Sequence, residues 1–289
     1  MFERDGLIFN VARSLTPTEY RPTARRLSYD LQDFVKKGVP NLYHYGTPDM
    51  FEKACFESNT GCNFNKCWYC PQSVDQKENH LMGDEVYEKM VTQLSKIGWQ
   101  GFRGMFAPVF FGEPTMLGDK LVDMMDFART RLPHAQLHVF TNGILLTPDL
   151  YDKLIKVGVD KIIITRHPGA STRNIDRLRN SANPQEYDEK VWARTLDNIK
   201  LWKRGPITIP PDRVLHLERC PMAAEQLTVD WKGNILFCCN DYYGSYQHGN
   251  IMERDILSIW KDPEFAKLRG EVRKGLYTLA LCKNCMGKE

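Results

Sequence analysis

Along the chain, short apolar runs alternate with stretches whose apolar residues recur at helical spacing. Residues 51–56 form a strand-like run that leads into a glycine-preceded loop. Over 84–98, Val86, Met90, Leu94 and Ile97 share one helical face, with Gly98 where a C-cap belongs. A buried strand is expected over 104–111, broken by Gly112-Glu113-Pro114. A helix over 119–132 and a strand over 136–141 follow, the strand ending at Asn142-Gly143. Thr147-Pro148-Asp149 places proline in the first turn of a helix that closes at Gly158. The β-branched run 161–165 ends in Arg166-His167-Pro168-Gly169. A long helix is expected over 185–203, leading to the apolar-rich segment 207–217.

Strand, loop and helix repeating at roughly 25–30 residues per unit is the pattern of parallel βα crossovers. In such sheets the functional loops sit at the carboxyl ends of the strands. The loops 62–70, 112–114, 142–143 and 166–169 are therefore expected to line one mouth. After Cys220 the texture changes to a small hairpin, 227–230 with 235–238, around Lys232-Gly233-Asn234. Helices over 255–261 and 263–274 precede Cys282-Lys283-Asn284-Cys285. The expected fold class is α/β: a partial (β/α)6-type barrel over 51–210, then a small α+β cysteine-rich domain over 211–289. The boundary is placed at Pro210-Pro211. Residues 1–50, with one helix over 27–37 and turn signals that include Val39-Pro40, are expected to be a lead-in packed on the core.

Composition narrows the function. With 289 residues, 42% hydrophobic and 26% charged, the chain can bury a core without staples. A net charge of +3 does not point to nucleic acid. Arg4, Arg13, Arg21, Arg25 and Arg26 are interleaved with acids and read as a solvated surface. The sequence has no bilayer-length apolar run and no signal peptide at its start, so a cytoplasmic location and no membrane partner are expected. In a reducing compartment, nine cysteines with seven in two short-spaced groups favour metal over disulfides. Cys62, Cys67 and Cys70 place three thiolates in one loop, as an iron–sulfur cluster or a zinc ion requires, and leave one coordination position open. For zinc, His80 is the candidate fourth ligand.

The triple-cysteine loop, with Gly-Glu-Pro ending the second strand and Thr-Asn-Gly ending the third, resembles the cluster loop and companion motifs of radical S-adenosylmethionine (SAM) enzymes. That resemblance implies a [4Fe-4S] cluster on Cys62, Cys67 and Cys70, its fourth iron chelated by SAM. It also implies reductive cleavage of SAM to a 5′-deoxyadenosyl radical that abstracts hydrogen from substrate. It carries Tyr69 to the position beside adenine and Gly112-Glu113 to the SAM amino group. Asn142, Thr165 and Arg166 are carried to ribose and carboxylate contacts. Two departures stand out: four residues rather than three separate Cys62 from Cys67, and Thr165-Arg166 replaces the family's serine and acidic residue.

From Cys220 onward the chain is similar to the SPASM extension of such enzymes, in a shortened, twitch-like form. Cys220, Gly233, Cys238, Gly249-Asn250-Ile251, Trp260 and the Cys282/Cys285 pair carry this likeness. It implies one auxiliary [4Fe-4S] cluster, fully ligated by Cys220, Cys238, Cys282 and Cys285, that carries electrons. Cys239 is the alternative to Cys238.

Other residues read more plainly. Cys55 is expected to be a buried small hydrophobe, and Tyr242, Tyr243 and Tyr246 packing residues. His167 and Arg166 are candidate substrate or proton-transfer groups. The family likeness implies an external electron donor of flavodoxin or ferredoxin type. It also leans towards modification of a ribosomal peptide, with a separate leader-recognition protein. Radical oxidation or epimerisation of a small molecule such as an aminocyclitol or sugar is the second reading. A zinc-stabilised binding module is the third.

Overall fold

β1 (Lys53–Phe56) lies inside an eight-stranded sheet, flanked by β2 (Met105–Pro108) and β6 (Gln226–Val229), both parallel to it. The molecule, a computed structural model, is described for residues 31–196 and 200–287. The chain divides into two compact units, Met1–Met50 and Phe51–Glu289. In the second unit the sheet order is β5-β4-β3-β2-β1-β6-β7-β8, with β3 at Gln136–Thr141, β4 at Lys161–Arg166 and β5 at Val191–Thr195. The six strands from β5 to β6 run parallel, whereas β7 (Asn234–Leu236) and β8 (Gln247–Asn250) are antiparallel additions. The sixth parallel strand thus comes from beyond Cys220 and joins at β1, not at β5.

Helical spacing becomes packing directly. The helix Asp84–Ser95 buries Tyr87, Met90, Val91 and Leu94, one stripe at i, i+3, i+4 and i+7, and opens with Asp84 and Glu85 against the helix dipole. Asp119–Arg131 buries Leu121, Met124, Met125 and Ala128. Thr147 caps Pro148–Lys156 by accepting from the Leu150 amide at 3.2 Å. The hairpin turn is set by Asp230, whose Oδ1 accepts from the Lys232 and Asn234 amides at 2.9 and 2.8 Å. Beyond it come Ile256–Trp260, Pro263–Arg273 and Ala280–Cys285, the first two capped by Asp255 and Asp262. Phe51, Phe102 and Trp260 close the sheet's far end, with ring centroids 5.1–5.2 Å apart from Phe51.

Two expectations fail. The long helix over 185–203 is not formed: two short helices, Arg173–Ser181 and Pro184–Lys190, precede a strand, β5, paired with β4 from Ile162↔Val191 to Arg166↔Thr195. Pro184 and the Asn183 cap reset the helix, and β-branched and aromatic Val191-Trp192 suit a sheet edge better than a third helical turn. Val39-Pro40 does not end the first helix either. In the first unit a π turn, Phe34–Gly38, runs straight into a helix, Val39–Tyr45, that stops at left-handed Gly46. Proline has no amide to donate and crowds the preceding turn, and the wider π turn gives it room. Arg4, Arg13, Arg21, Arg25, Arg26 and the first residues of helix 27–37 lie outside the described residues.

Candidate active site: a cluster loop facing a four-cysteine cavity

Because β1 to β4 are parallel, the loops after them emerge at one end. Asn142, after β3, donates from Nδ2 to Asn63 Oδ1 at 2.8 Å and approaches Cys62 Sγ at 4.0 Å. Its backbone amide donates to Glu113 Oε2 at 2.8 Å. His167, after β4, is hydrogen-bonded through Nδ1 to the Tyr69 hydroxyl. The four expected loops therefore meet.

Cys62, Cys67 and Cys70 all lie in the loop that follows β1. Burial raises all three thiols, Cys62 to about 11 and Cys67 to about 12, and the partial charges of the three oppose one another. Thiolates at such a site await a cation to hold their charge, and soft sulfur suits iron. The segment expected to be apolar packs over the loop: its Ile207, Ile209 and Val214, joined by Leu201, form one cluster with Cys67 and Tyr69. That cover keeps water from one side of the thiols while Cys62 and Cys70 stay partly exposed.

Gly112 and Glu113 do more structural work than expected. A Cβ on Gly112 would stand 1.9 Å from the Asn59 carbonyl oxygen, so glycine is needed for close approach to the strand-end backbone of β1. Glu113 is 4% exposed and clamps two loops. Its Oε1 accepts from the Thr115 amide and hydroxyl at 3.1 and 2.5 Å and from Thr141 Oγ1 at 2.7 Å. Only Oε2, with the Asn142 amide, has capacity left for a ligand ammonium.

At β4 the two expected contacts part company. Thr165 Oγ1 accepts from Arg194 Nε at 3.0 Å, whereas Arg166 turns to Asp176 on Arg173–Ser181, 3.7 Å away. Successive strand residues face opposite sides, so the two cannot both face the mouth. His167 does face it, stacked with Tyr69 and Phe64 at centroid distances of 5.8 and 6.1 Å. Burial, reinforced by Arg194, lowers its pKa to about 4, which keeps the ring neutral beside the Tyr69 hydroxyl. His80 lies elsewhere, stacked on Trp231 at 4.5 Å with its Nε2 3.6 Å from Glu78, which removes it as a fourth ligand to the loop cysteines.

Cys220, Cys238, Cys282 and Cys285 line one small cavity with Trp202, Tyr277 and Met286. Each is 6–8% exposed. Burial pushes Cys282 and Cys285 up to about 12. Asn240 donates its backbone amide to Cys238 Sγ at 3.4 Å and its Nδ2 to Cys285 Sγ at 3.3 Å. Cys239 does not line this cavity; its neighbours include Cys55, fully buried on β1, and Gln226. Four soft donors around one cavity fit an iron–sulfur cluster with no open iron. Among the described residues, no three His, Cys, Asp or Glu converge tightly enough to hold one bare ion.

Sequence reasoning missed Arg194 and Arg204. Arg204 acts electrostatically on Tyr69 and Cys70 on one side and on Cys239 and Cys285 on the other; burial raises Tyr69, Cys70 and Cys285 against its pull, and only Cys239, hydrogen-bonded by Cys238, ends below its usual value. Its Nε is buried without a hydrogen-bond partner, and its guanidinium lies 5.9 Å from the Phe111 ring. It lies between the expected helix 185–203 and the apolar segment 207–217, where no pattern marked it.

Comparison with known proteins agrees with this arrangement. Residues 56–203 match the Radical SAM superfamily, and residues 220–286 match SPASM, an iron–sulfur cluster-binding domain. The chain is 31% identical over 241 residues to the S-adenosyl-L-methionine-dependent 2-deoxy-scyllo-inosamine dehydrogenase of Niallia circulans, covering 82% of this chain and 93% of that protein. A crystal structure of BtrN in complex with AdoMet and 2-DOIA matches with a TM-score of 0.73 and 30% identity, over 82% of this chain and 93% of that one. BtrN in an open conformation matches at 0.62 and 27%, over 82% and 92%. The cofactors are SAM, the [4Fe-4S] cluster that binds it and an auxiliary iron–sulfur cluster. With an iron–sulfur domain matched over the second cysteine set, the zinc-module reading falls away, and the chain is an enzyme of the radical SAM superfamily with a C-terminal SPASM domain.

Proposed function

We propose that this enzyme is a radical dehydrogenase that oxidises a secondary alcohol of a small, polyhydroxylated or amino-substituted ring to a ketone. The observation that carries the reading is the pairing of an open three-cysteine loop with a closed four-cysteine cavity, bridged by Arg204. The likeness to an aminocyclitol dehydrogenase supports it. The expected peptide substrate and its leader-recognition partner draw no support from relatives of that similarity.

Cys62, Cys67 and Cys70 would hold the cluster that binds SAM, and Cys220, Cys238, Cys282 and Cys285 the auxiliary one. When bound and reduced, SAM and its cluster supply the radical that removes one hydrogen atom from a substrate carbon. Completing a C=O bond then requires the hydroxyl proton to leave and one electron to be taken away. Cys220, Cys238, Cys282 and Cys285 would supply four thiolates to the auxiliary cluster, and a cluster so held would be suited to take that electron. Arg204, its buried Nε unpartnered, offers a charge-assisted hydrogen bond to the oxygen on which negative charge develops. Arg194 and Thr165 would hold the SAM carboxylate end, and the Tyr69–His167 pair would fix the ring wall beside it. Reduction would come from an external donor of flavodoxin or ferredoxin type, in the cytoplasm, where the cysteines, none of them in a disulfide, stay available to hold clusters.

The test is anaerobic turnover of the reconstituted enzyme with 2-deoxy-scyllo-inosamine and related cyclitols. The proposal expects 5′-deoxyadenosine and ketone in equal amounts. SAM cleavage with no two-electron-oxidised product from any of these compounds, but with a modified peptide, would overturn it.

A further inference from the structure

A second cavity, of about 350 Å³, lies beside the carboxyl ends of β1 and β6 and the turn after β6, and no cysteine lines it. That volume is within the range of about 300–1,000 Å³ usual for small-ligand sites. Its floor is Glu57, whose side chain is 1% exposed and whose Oε1 accepts no hydrogen bond; the nearest cation, Lys77 Nζ, stands 3.5 Å away. Burial raises the Glu57 carboxyl to about 7 against the pull of Lys77. Lys77 Nζ in turn lies 4.6 Å from the Tyr242 ring centroid. The cation position on this aromatic wall is therefore already filled by the protein, and a ligand amine would have to displace it.

What remains for a ligand is acceptor capacity on Glu57 Oε1, donor capacity on Lys77 and the exposed ring of Tyr243, since His80 and Lys232 Nζ, 5.0 Å away, already lie over Trp231. Trp231 and His80 stack with planes 7° apart, and Tyr243 stands 60% exposed at the rim. Hydroxyl groups both donate and accept, so a polyol satisfies Glu57 and Lys77 together. The C–H face of a saturated ring covers an aromatic plane without leaving polar atoms unpaired. We infer that this cavity is a second ligand site, for a small polyhydroxylated ring compound such as a monosaccharide or cyclitol, held by Glu57 and Lys77 and packed on Tyr243. It is separate from the cysteine sites and does not depend on the dehydrogenase reading.

The test uses the anaerobically reconstituted holoenzyme with SAM and ligand-observed NMR, with myo-inositol and methyl β-glucoside as probes. To remove a contribution from the central site, it is run in wild type and in Arg204→Ala. Saturable binding is expected in both backgrounds. Glu57→Gln and, separately, Tyr243→Ala should each weaken it about tenfold, the loss of one good contact. Tyr243→Ala alters an exposed side chain, so its fold and its substrate-free 5′-deoxyadenosine formation should match wild type. Absence of saturable binding for both probes would overturn the inference, as would binding abolished by Arg204→Ala and untouched by Tyr243→Ala.

Discussion

The two cysteine sites are built by opposite routes. Cys62, Cys67 and Cys70 fall within nine residues of one loop, and two of the three remain partly exposed. Cys220, Cys238, Cys282 and Cys285 come from the approach to β6, the end of β7 and the last helix, and all four are buried. A local loop leaves one side free, which a site that must bind a cosubstrate needs. Ligands converging from distant segments enclose their cargo, which suits accepting one electron from a substrate radical without exchanging ligands. On the proposed reading, the open site would do the chemistry and the closed one would be left intact.

The sharpest way to break this contrast is to empty one site at a time. Cys62→Ala, Cys67→Ala and Cys70→Ala together should abolish SAM cleavage outright and lower iron from about eight to about four per chain. Iron and sulfide analysis with EPR reads this, and retained cleavage would end the assignment. Cys282→Ala with Cys285→Ala should instead spare part of the SAM cleavage while ketone formation falls by at least about 100-fold. Equal loss of both activities would mean that the two sites are not functionally distinct.

A smaller effect should come from the packing beneath the open site. Gly112→Ala drives a Cβ into the Asn59 carbonyl, and about 2–4 kcal/mol of stability should be lost, visible as a lowered Tm. Glu57, which is not one of the cysteine ligands, supplies a pH test. Its folded pKa, about 7, is raised above the usual carboxyl value of 4.5, so its contribution to stability is present below pH 4.5 and is lost as pH rises through 7. Relative to Glu57→Gln, wild type should thus lose up to about 3 kcal/mol between pH 4.5 and 8, with Lys77 and Asp230 as the charges that face it. Paired unfolding curves across that range check the sign. The smallest contrast separates neighbours: Cys238→Ala should lose the auxiliary cluster, and Cys239→Ala should keep it, because only Cys238 lines the four-cysteine cavity.

Much of the open site is legible in one dimension because its ligands are close in sequence and its strand-end loops follow a repeating βα order. That order also implies that Gly112, Asn142 and His167 come near the cysteine loop, as they do. The chain's hydrophobic spacing likewise sets the helices Asp84–Ser95 and Asp119–Arg131, whose buried stripes are local properties. Only tertiary structure could decide the rest. Segment 191–195 becomes a strand because β4 offers it an edge, a pairing that no local propensity contains. Arg166 is turned away from the mouth and Thr165 towards Arg194 by strand alternation, which fixes sides only once the sheet has a front and a back. The choice of Cys238 over Cys239 and the placement of Arg204 between the two cysteine sets depend on contacts between segments far apart in the chain. The sequence by itself determined which atoms can bind iron; the fold determined which of them face one another, because that is a matter of distances through space.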